Sequence, residues 1–138
     1  MASVARLFIC PVPGQPVREV AEARALPDWG LEGCAHARSG SKRQVLLMDS
    51  ETLTEMALLP GQVKENVVTQ GLNLRALAKG QRLRLGEALL ELTVPCSPCG
   101  YIESLRPGLE AQMRGKRGML FRVIEGGLIR PGDAIQLL

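Results

Sequence analysis

Two short segments far apart in the chain hold most of the side chains able to do chemistry near neutral pH. One is Gly30-Leu31-Glu32-Gly33-Cys34-Ala35-His36; the other is Pro95-Cys96-Ser97-Pro98-Cys99-Gly100. Together they carry three of the four cysteines and the single histidine. Thiols and imidazoles are the groups best suited to nucleophilic and metal chemistry in this pH range. Glycine and proline bound both segments, so they read as turns that present side chains rather than as core filler.

Cys96-x-x-Cys99 admits three readings. A thioredoxin-like redox pair needs a βαβ setting, whereas here a strand hairpin precedes the motif and Pro98 lies inside it. Half of a zinc site is the second, with Cys34 and His36 completing a Cys₃His ligand set. The third is one working thiol with a bystander. A working thiol has to ionise, and an unperturbed cysteine is only a few per cent thiolate at pH 7. His36, Arg38, Lys42 and Arg43 are the groups able to supply a favouring field. Cys99 is preferred over Cys96 because Gly100 leaves space beside it, while Cys10, inside an apolar run, reads as a small buried hydrophobe.

No acid occurs between Glu32 and Asp49, where Arg38, Lys42 and Arg43 stand. Such a stretch is either a solvated basic loop or a seat for a small anion such as phosphate. Glu65-Asn66 precedes an apolar run. It is either ordinary turn chemistry or a donor–acceptor pair for a heterocycle. There is no Walker pattern and no GxGxxG.

The elements that must position these groups are mostly strands. Val4–Cys10 stops at Pro11 and Pro13 and reads as a first strand, and Val17–Leu26 has room for another. A loop from Pro27 carries Cys34, His36 and the basic cluster, and Gln44–Met48 resumes as a strand. Ser50 is placed to cap a helix over Glu51–Leu58. Val63–Thr69 reads as extended, and Leu72, Leu74 and Leu77 as a helical turn. Arg82-Leu83-Arg84-Leu85 alternates charge with apolar side chains, the mark of a half-buried strand. Gly86-Glu87 turns it back into Ala88–Val94, which delivers Cys96 and Cys99 to its tip. A helix from Pro107, a strand over Met119–Ile124, a turn at Gly126-Gly127 and a closing strand over Ala134–Leu138 complete the reading. Many short strands with few helices predict a mainly β protein, a strand-rich β-barrel in one domain spanning residues 1–138.

Composition narrows the function. The 138 residues are 46% hydrophobic, so a core of Leu, Val, Ile and Ala needs no disulfide or metal to hold it. Aromatics are only 3%, too few for a base-stacking platform, and a net charge of +3 is too weak to imply nucleic-acid binding. No run approaches the roughly 20 apolar residues of a membrane helix. Residues 1–10 lack a signal-peptide pattern, so the expected compartment is the cytosol. Cysteines there are reactive or metal-binding more often than disulfide-bonded.

The order of the pieces resembles the MOSC family, the domain at the C-terminal end of molybdenum cofactor sulfurases. The resemblance runs through Gly30-Leu31-Glu32-Gly33-x-x-His36, then Arg43-Gln44-Val45 with Met48-Asp49-x-Glu51. It continues in Glu65-Asn66-Val67 with Gly71-Leu72-Asn73-Leu74, and in Gly80 with Leu83-x-Leu85-Gly86-Glu87-Ala88. It ends with Pro95-Cys96-x-x-Cys99 and Gly127-x-Ile129-x-x-Gly132-Asp133, covering about Arg18 to Leu138. The resemblance implies a strand-rich barrel, a reactive cysteine that maps best onto Cys99 with Cys96 as the other candidate, and a small stand-alone member. It implies a molybdopterin-type molybdenum cofactor, with Cys99 as sulfur acceptor or molybdenum ligand. Gly33, His36, Arg38, Lys42, Arg43, Glu65 and Asn66 would then surround the cofactor. Pyridoxal phosphate would enter only through a partner cysteine desulfurase. Related proteins reduce N-hydroxylated compounds, which here would require an electron-transfer partner. A third expectation is a zinc-stabilised interaction module using Cys34, His36, Cys96 and Cys99. Cys34 departs from the family pattern, which has Asp after Gly33.

Overall fold

The alternation at Arg82–Leu85 does form a strand, and it pairs as a hairpin with Ala88–Pro95. The computed structural model describes residues 2–138. In chain order its elements are β1 (Ser3–Ile9), β2 (Arg18–Val20), β3 (Ala23–Leu26), β4 (Gly30–Leu31), β5 (Val45–Asp49), α1 (Ser50–Glu55) and β6 (Val67–Gln70). A 3₁₀ turn at Leu74–Ala76 follows, then β7 (Arg82–Leu85), β8 (Ala88–Pro95), α2 (Gly100–Leu105), α3 (Leu109–Gln112), β9 (Met119–Glu125), β10 (Gly127–Ile129) and β11 (Ile135–Leu137).

Eight strands form one sheet in the order β11-β7-β8-β9-β5-β6-β1-β2, and β10-β3-β4 form a second, small one. Every pairing is antiparallel except β5 with β6. The ladders do not close into the expected barrel. β2 occupies one edge, and β11 at the other edge meets β1 only through an isolated Ser3–Ala134 bridge. Flanking bonds from Gly132 N–H to Val4 O (2.7 Å) and Ile135 N–H to Ala2 O (3.0 Å) hold that single point.

The core has two sides. Leu7, Leu47, Val67, Leu90 and Phe121 pack with Ala25, Leu31 and Ile129 of the small sheet. Phe8, Met48 and Val68 face the opposite way, onto Leu53 of α1, Ile102 of α2 and Leu109 of α3. β5 is therefore covered on both faces, which is why its sequence runs apolar without alternation.

Several expected boundaries shift for local reasons. Asp49, not Ser50, caps α1: its Oδ2 accepts from Thr52 N–H at 3.0 Å and from the Thr52 hydroxyl at 2.6 Å. The helix expected from Pro107 is α3, which starts at Leu109 after Gly108 at φ +84°, and a second short helix, α2, precedes Pro107 where none was expected. Residues 63–66 are not strand, since Lys64 lies at φ +62°, a left-handed conformation no strand contains. The expected turn at Gly126-Gly127 instead opens β10, a strand too short to announce itself.

Candidate functional site

The end of β8, the approach to β6, the start of β9 and the loop from β4 to β5 meet in a cleft of about 490 Å³. β8 reaches it by way of Cys96, whose N–H donates to Gly118 O at 2.9 Å. Gly118 sits at φ +109°, and a Cβ there would lie 2.5 Å from Leu47 O, so glycine is required for β9 to start this close to β5. Leu46 and Leu120 supply apolar lining, and His36, Arg38 and Arg43 border the same space as Cys96 and Cys99. The two distant segments singled out by their chemistry therefore do converge. Of the four cysteines, Cys10, Cys34 and Cys96 are buried and Cys99 is exposed.

Asp28 and Gln44, neither of them among the expected site residues, hold the basic loop in place. Asp28 accepts from Gly40 N–H (3.1 Å), Ser39 Oγ (3.2 Å) and Gln44 Nε2 (3.1 Å). These bonds, led by that from Gly40, hold its carboxyl below the usual range. Gln44, fully buried, also donates to Arg38 O at 3.2 Å and accepts from Val123 N–H at 2.9 Å. The arginines thus project from a loop tied at its base.

Asn66 borders the cleft, but its amide is engaged behind it. Oδ1 accepts from Leu46 N–H at 2.9 Å, and Nδ2 donates to Phe8 O at 3.2 Å and to Cys34 Sγ at 3.5 Å. One side chain thereby joins β1, β5 and the Cys34 turn. Cys34 Sγ also receives Cys10 N–H at 3.5 Å. Burial opposes its ionisation most strongly, yet the His36 side chain and the N–H groups of Cys10 and His36 outweigh it and bring the thiol down to about 7. At this position, where the MOSC pattern has a carboxylate, the sulfur acts as a hydrogen-bond acceptor.

The remaining predicted residues fall elsewhere. Lys42 lines a separate hollow of about 320 Å³ with Lys79 and Arg122. Gly33 makes its turn at φ +82° without bordering the cleft. Glu65 is fully buried and accepts from Gly61 N–H at 2.8 Å; burial is the main reason its carboxyl is raised. Among the described residues no group of three or more His, Cys, Asp or Glu side chains could hold a metal ion. The expected Cys34–His36–Cys96–Cys99 zinc cluster is not assembled, because Cys34 turns into the core instead of the cleft.

Three cleft residues escaped the sequence reading. Lys64 Nζ lies 4.4 Å from the centre of the Tyr101 ring, and Tyr101 Oη donates to Gln62 O at 2.9 Å. Arg117, immediately before Gly118, is buried at the border of the cleft. A lone tyrosine beside Gly100 in so aromatic-poor a chain was the available signal for Tyr101. Arg117 gave none, lying in a run with Arg114 and Lys116 that looks like a solvated basic turn.

With this geometry in view, a family model described as the MOSC domain matches residues 36–136. The chain belongs to the MOSC domain family. That family is related in general to the molybdenum cofactor. YflK of Bacillus subtilis (strain 168), an uncharacterized protein, is 33% identical over 81 residues; the match takes in 54% of this chain and 35% of that protein. The chain thus matches only about a third of that relative's length. Among solved structures, YuaD from Bacillus subtilis superposes with a TM-score of 0.82 at 21% identity, covering 99% of this MOSC chain and 96% of the other. YiiM from Geobacillus stearothermophilus gives 0.80 at 20%, covering 100% and 75%; YiiM from Escherichia coli gives 0.74 at 24%, covering 100% and 70%. At these identities the likeness speaks to the fold. Among the described residues no helix is long and apolar enough to cross a membrane.

Proposed function

We propose that this MOSC domain uses its cleft to hold a phosphate-bearing molybdenum cofactor or to accept sulfur, with Cys99 as the working sulfur. One observation carries the reading: the exposed cysteine borders the same cleft as Arg38, Arg43 and His36, while the other three cysteines are buried. Guanidinium groups suit a phosphate, and a soft thiolate suits molybdenum and sulfane sulfur alike. Arg38 and Arg43 would hold the phosphate and His36 would meet the pterin. Asn66, its amide already engaged, would position Cys34 and the wall instead of touching the ligand. When bound, the cofactor supplies redox chemistry beside Cys99.

In sulfur transfer the donor is a separate pyridoxal-phosphate cysteine desulfurase that carries a persulfide. The Cys99 thiolate attacks the outer sulfur of that persulfide. The partner's S–S bond breaks, its cysteine leaves as a thiolate, and Cys99 keeps the sulfur as a new persulfide. A reducing cytosol, which keeps Cys99 a free thiol, fits this role.

Two measurements test the reading. Protein purified from a host that makes the cofactor is expected to carry molybdenum by elemental analysis. Apoprotein incubated with a cysteine desulfurase and cysteine is expected to gain the mass of one sulfur atom on the Cys99 peptide. Cys99→Ala should abolish whichever label appears. Absence of both labels, or survival of both in Cys99→Ala, overturns the assignment.

A further inference from the structure

Arg117 is a buried charge that the assignment above leaves unused. The residue is 6% exposed, and Nη2 donates to Val63 O at 2.7 Å. Nε and Nη1 are buried without any hydrogen-bond partner among the described residues. A guanidinium does not shed its proton inside a protein, so it cannot escape burial by becoming neutral as a lysine can. Buried donors are nearly always satisfied, and an orphaned pair calls for a partner. Nη2 carries a second hydrogen, so one two-pronged edge of the guanidinium remains whole, a match for two oxygens of one oxyanion.

The buried carboxyl of Glu65 does not fill that edge. Glu65 feels the field of Arg117, but its Oε2 is taken by Gly61 N–H and its Oε1 is itself without a partner. Tyr101 borders the same cleft as the guanidinium and the thiol. Burial is the main reason its hydroxyl is raised; Arg117 opposes the shift, and Glu65 and Cys99 add to it. Arg117 and Cys99 border one cleft. The contrast with Arg38 and Arg43 is burial: those two are exposed and their charge is shared with water.

Resting on the cleft assignment above, we infer that Arg117 is an inner oxyanion anchor, receiving a carboxylate or phosphate of the ligand that meets Cys99. The shared chemistry is a group offering two oxygens to one guanidinium edge. A cofactor phosphate and a substrate carboxylate both have it.

Alkylation of native apoprotein tests this without molybdenum or a desulfurase. Iodoacetate and iodoacetamide attack thiols by the same displacement, but only the former carries a carboxylate. If the anchor takes carboxylates, the ratio of their rates at Cys99 exceeds the ratio measured on the same peptide in the unfolded chain, by about tenfold. If it takes phosphate, inorganic phosphate at millimolar concentration slows labelling of Cys99 by iodoacetamide. Either effect supports the inference and names the source. Whichever is seen is expected to vanish in Arg117→Gln and to survive in Arg114→Gln, which removes an equal charge from an exposed position outside the cleft and leaves iodoacetamide labelling in the absence of phosphate unchanged. Thermal melting checks the fold. Should Arg117→Gln not fold, Arg117→Lys, which keeps the charge but loses the fork, is expected to fold and to lose most of the effect. Neither effect in the native protein, or full retention in a folded Arg117 variant, overturns the inference. Molybdenum loading or persulfide formation can fail independently, so the two assignments fall separately.

Discussion

Cys34 and Cys99 belong to the two segments that meet, and their surroundings are opposite. Cys34 is 6% exposed and receives hydrogen bonds from Cys10 N–H and Asn66, with His36 helping to hold its thiol at about 7. Cys99 is exposed, sits just ahead of α2 and makes no side-chain capping bond there. Burial and hydrogen bonding mark one sulfur, and access marks the other. A hydrogen-bonded sulfur behind the wall ties the turn that carries His36 to Cys10 at the end of β1 and to Asn66. A thiol at the border of the cleft can meet a ligand. Access is the feature that separates Cys99, the proposed working sulfur, from Cys34.

The largest expected difference is in alkylation. Native protein treated with iodoacetamide should be labelled at Cys99 on the order of 100-fold faster than at Cys34, because labelling a buried thiol requires local opening. Comparable peptide-resolved rates would erase the contrast. Asn66→Ala comes next. It orphans Leu46 N–H and Phe8 O and releases Cys34, so denaturant unfolding should show a loss of roughly 3 kcal/mol. The same variant should speed labelling of Cys34 more than that of Cys99.

The acid–base prediction sharpens the comparison on the Cys34 side. Thiolate absorbance assigned by difference against Cys34→Ala should titrate near 7, and in His36→Gln it should move back toward the ordinary 9.0. The folded value lies below the unfolded one, so between them the unfolded chain binds more protons. The stability Cys34 adds over Cys34→Ala is therefore fully present above about pH 9, fades as pH falls and is gone below about 7. A flat difference across that window would show that the hydrogen-bonded sulfur stays neutral. The smallest effect belongs to the exposed side. Lys64→Ala removes one cation–π contact and should cost about 0.5–1 kcal/mol in the same unfolding measurement.

Much of this arrangement was legible from residue types. His36 from one cysteine turn, Cys96 and Cys99 from the other, and Arg38 and Arg43 from the acid-free stretch border one cleft, and the β7–β8 hairpin that leads to Cys96 and Cys99 follows from alternation. What escaped depends on tertiary neighbours. Nothing local distinguishes Arg117 from Lys116, yet the former is buried and the latter pairs with Glu55 at 3.2 Å. Asp28 and Gln44 gain their roles only after the loop folds back onto them. β4 and β10 hold too few residues for periodicity to register. Cys34 was read for its reactivity, whereas its environment makes it an acceptor in place of a carboxylate.

The parallel pairing of β5 with β6 also bears on when the cleft exists. The chain has to leave the sheet after Asp49 and return at Val67 before Asn66 can clasp β1 and β5, and β9 must then arrive on the other flank of β5. Such distant pairings are slow to form compared with neighbouring ones. A growing polypeptide that has emerged from the ribosome only through Cys99 therefore displays every one of its cysteines but still lacks the chamber that would set one of them to work.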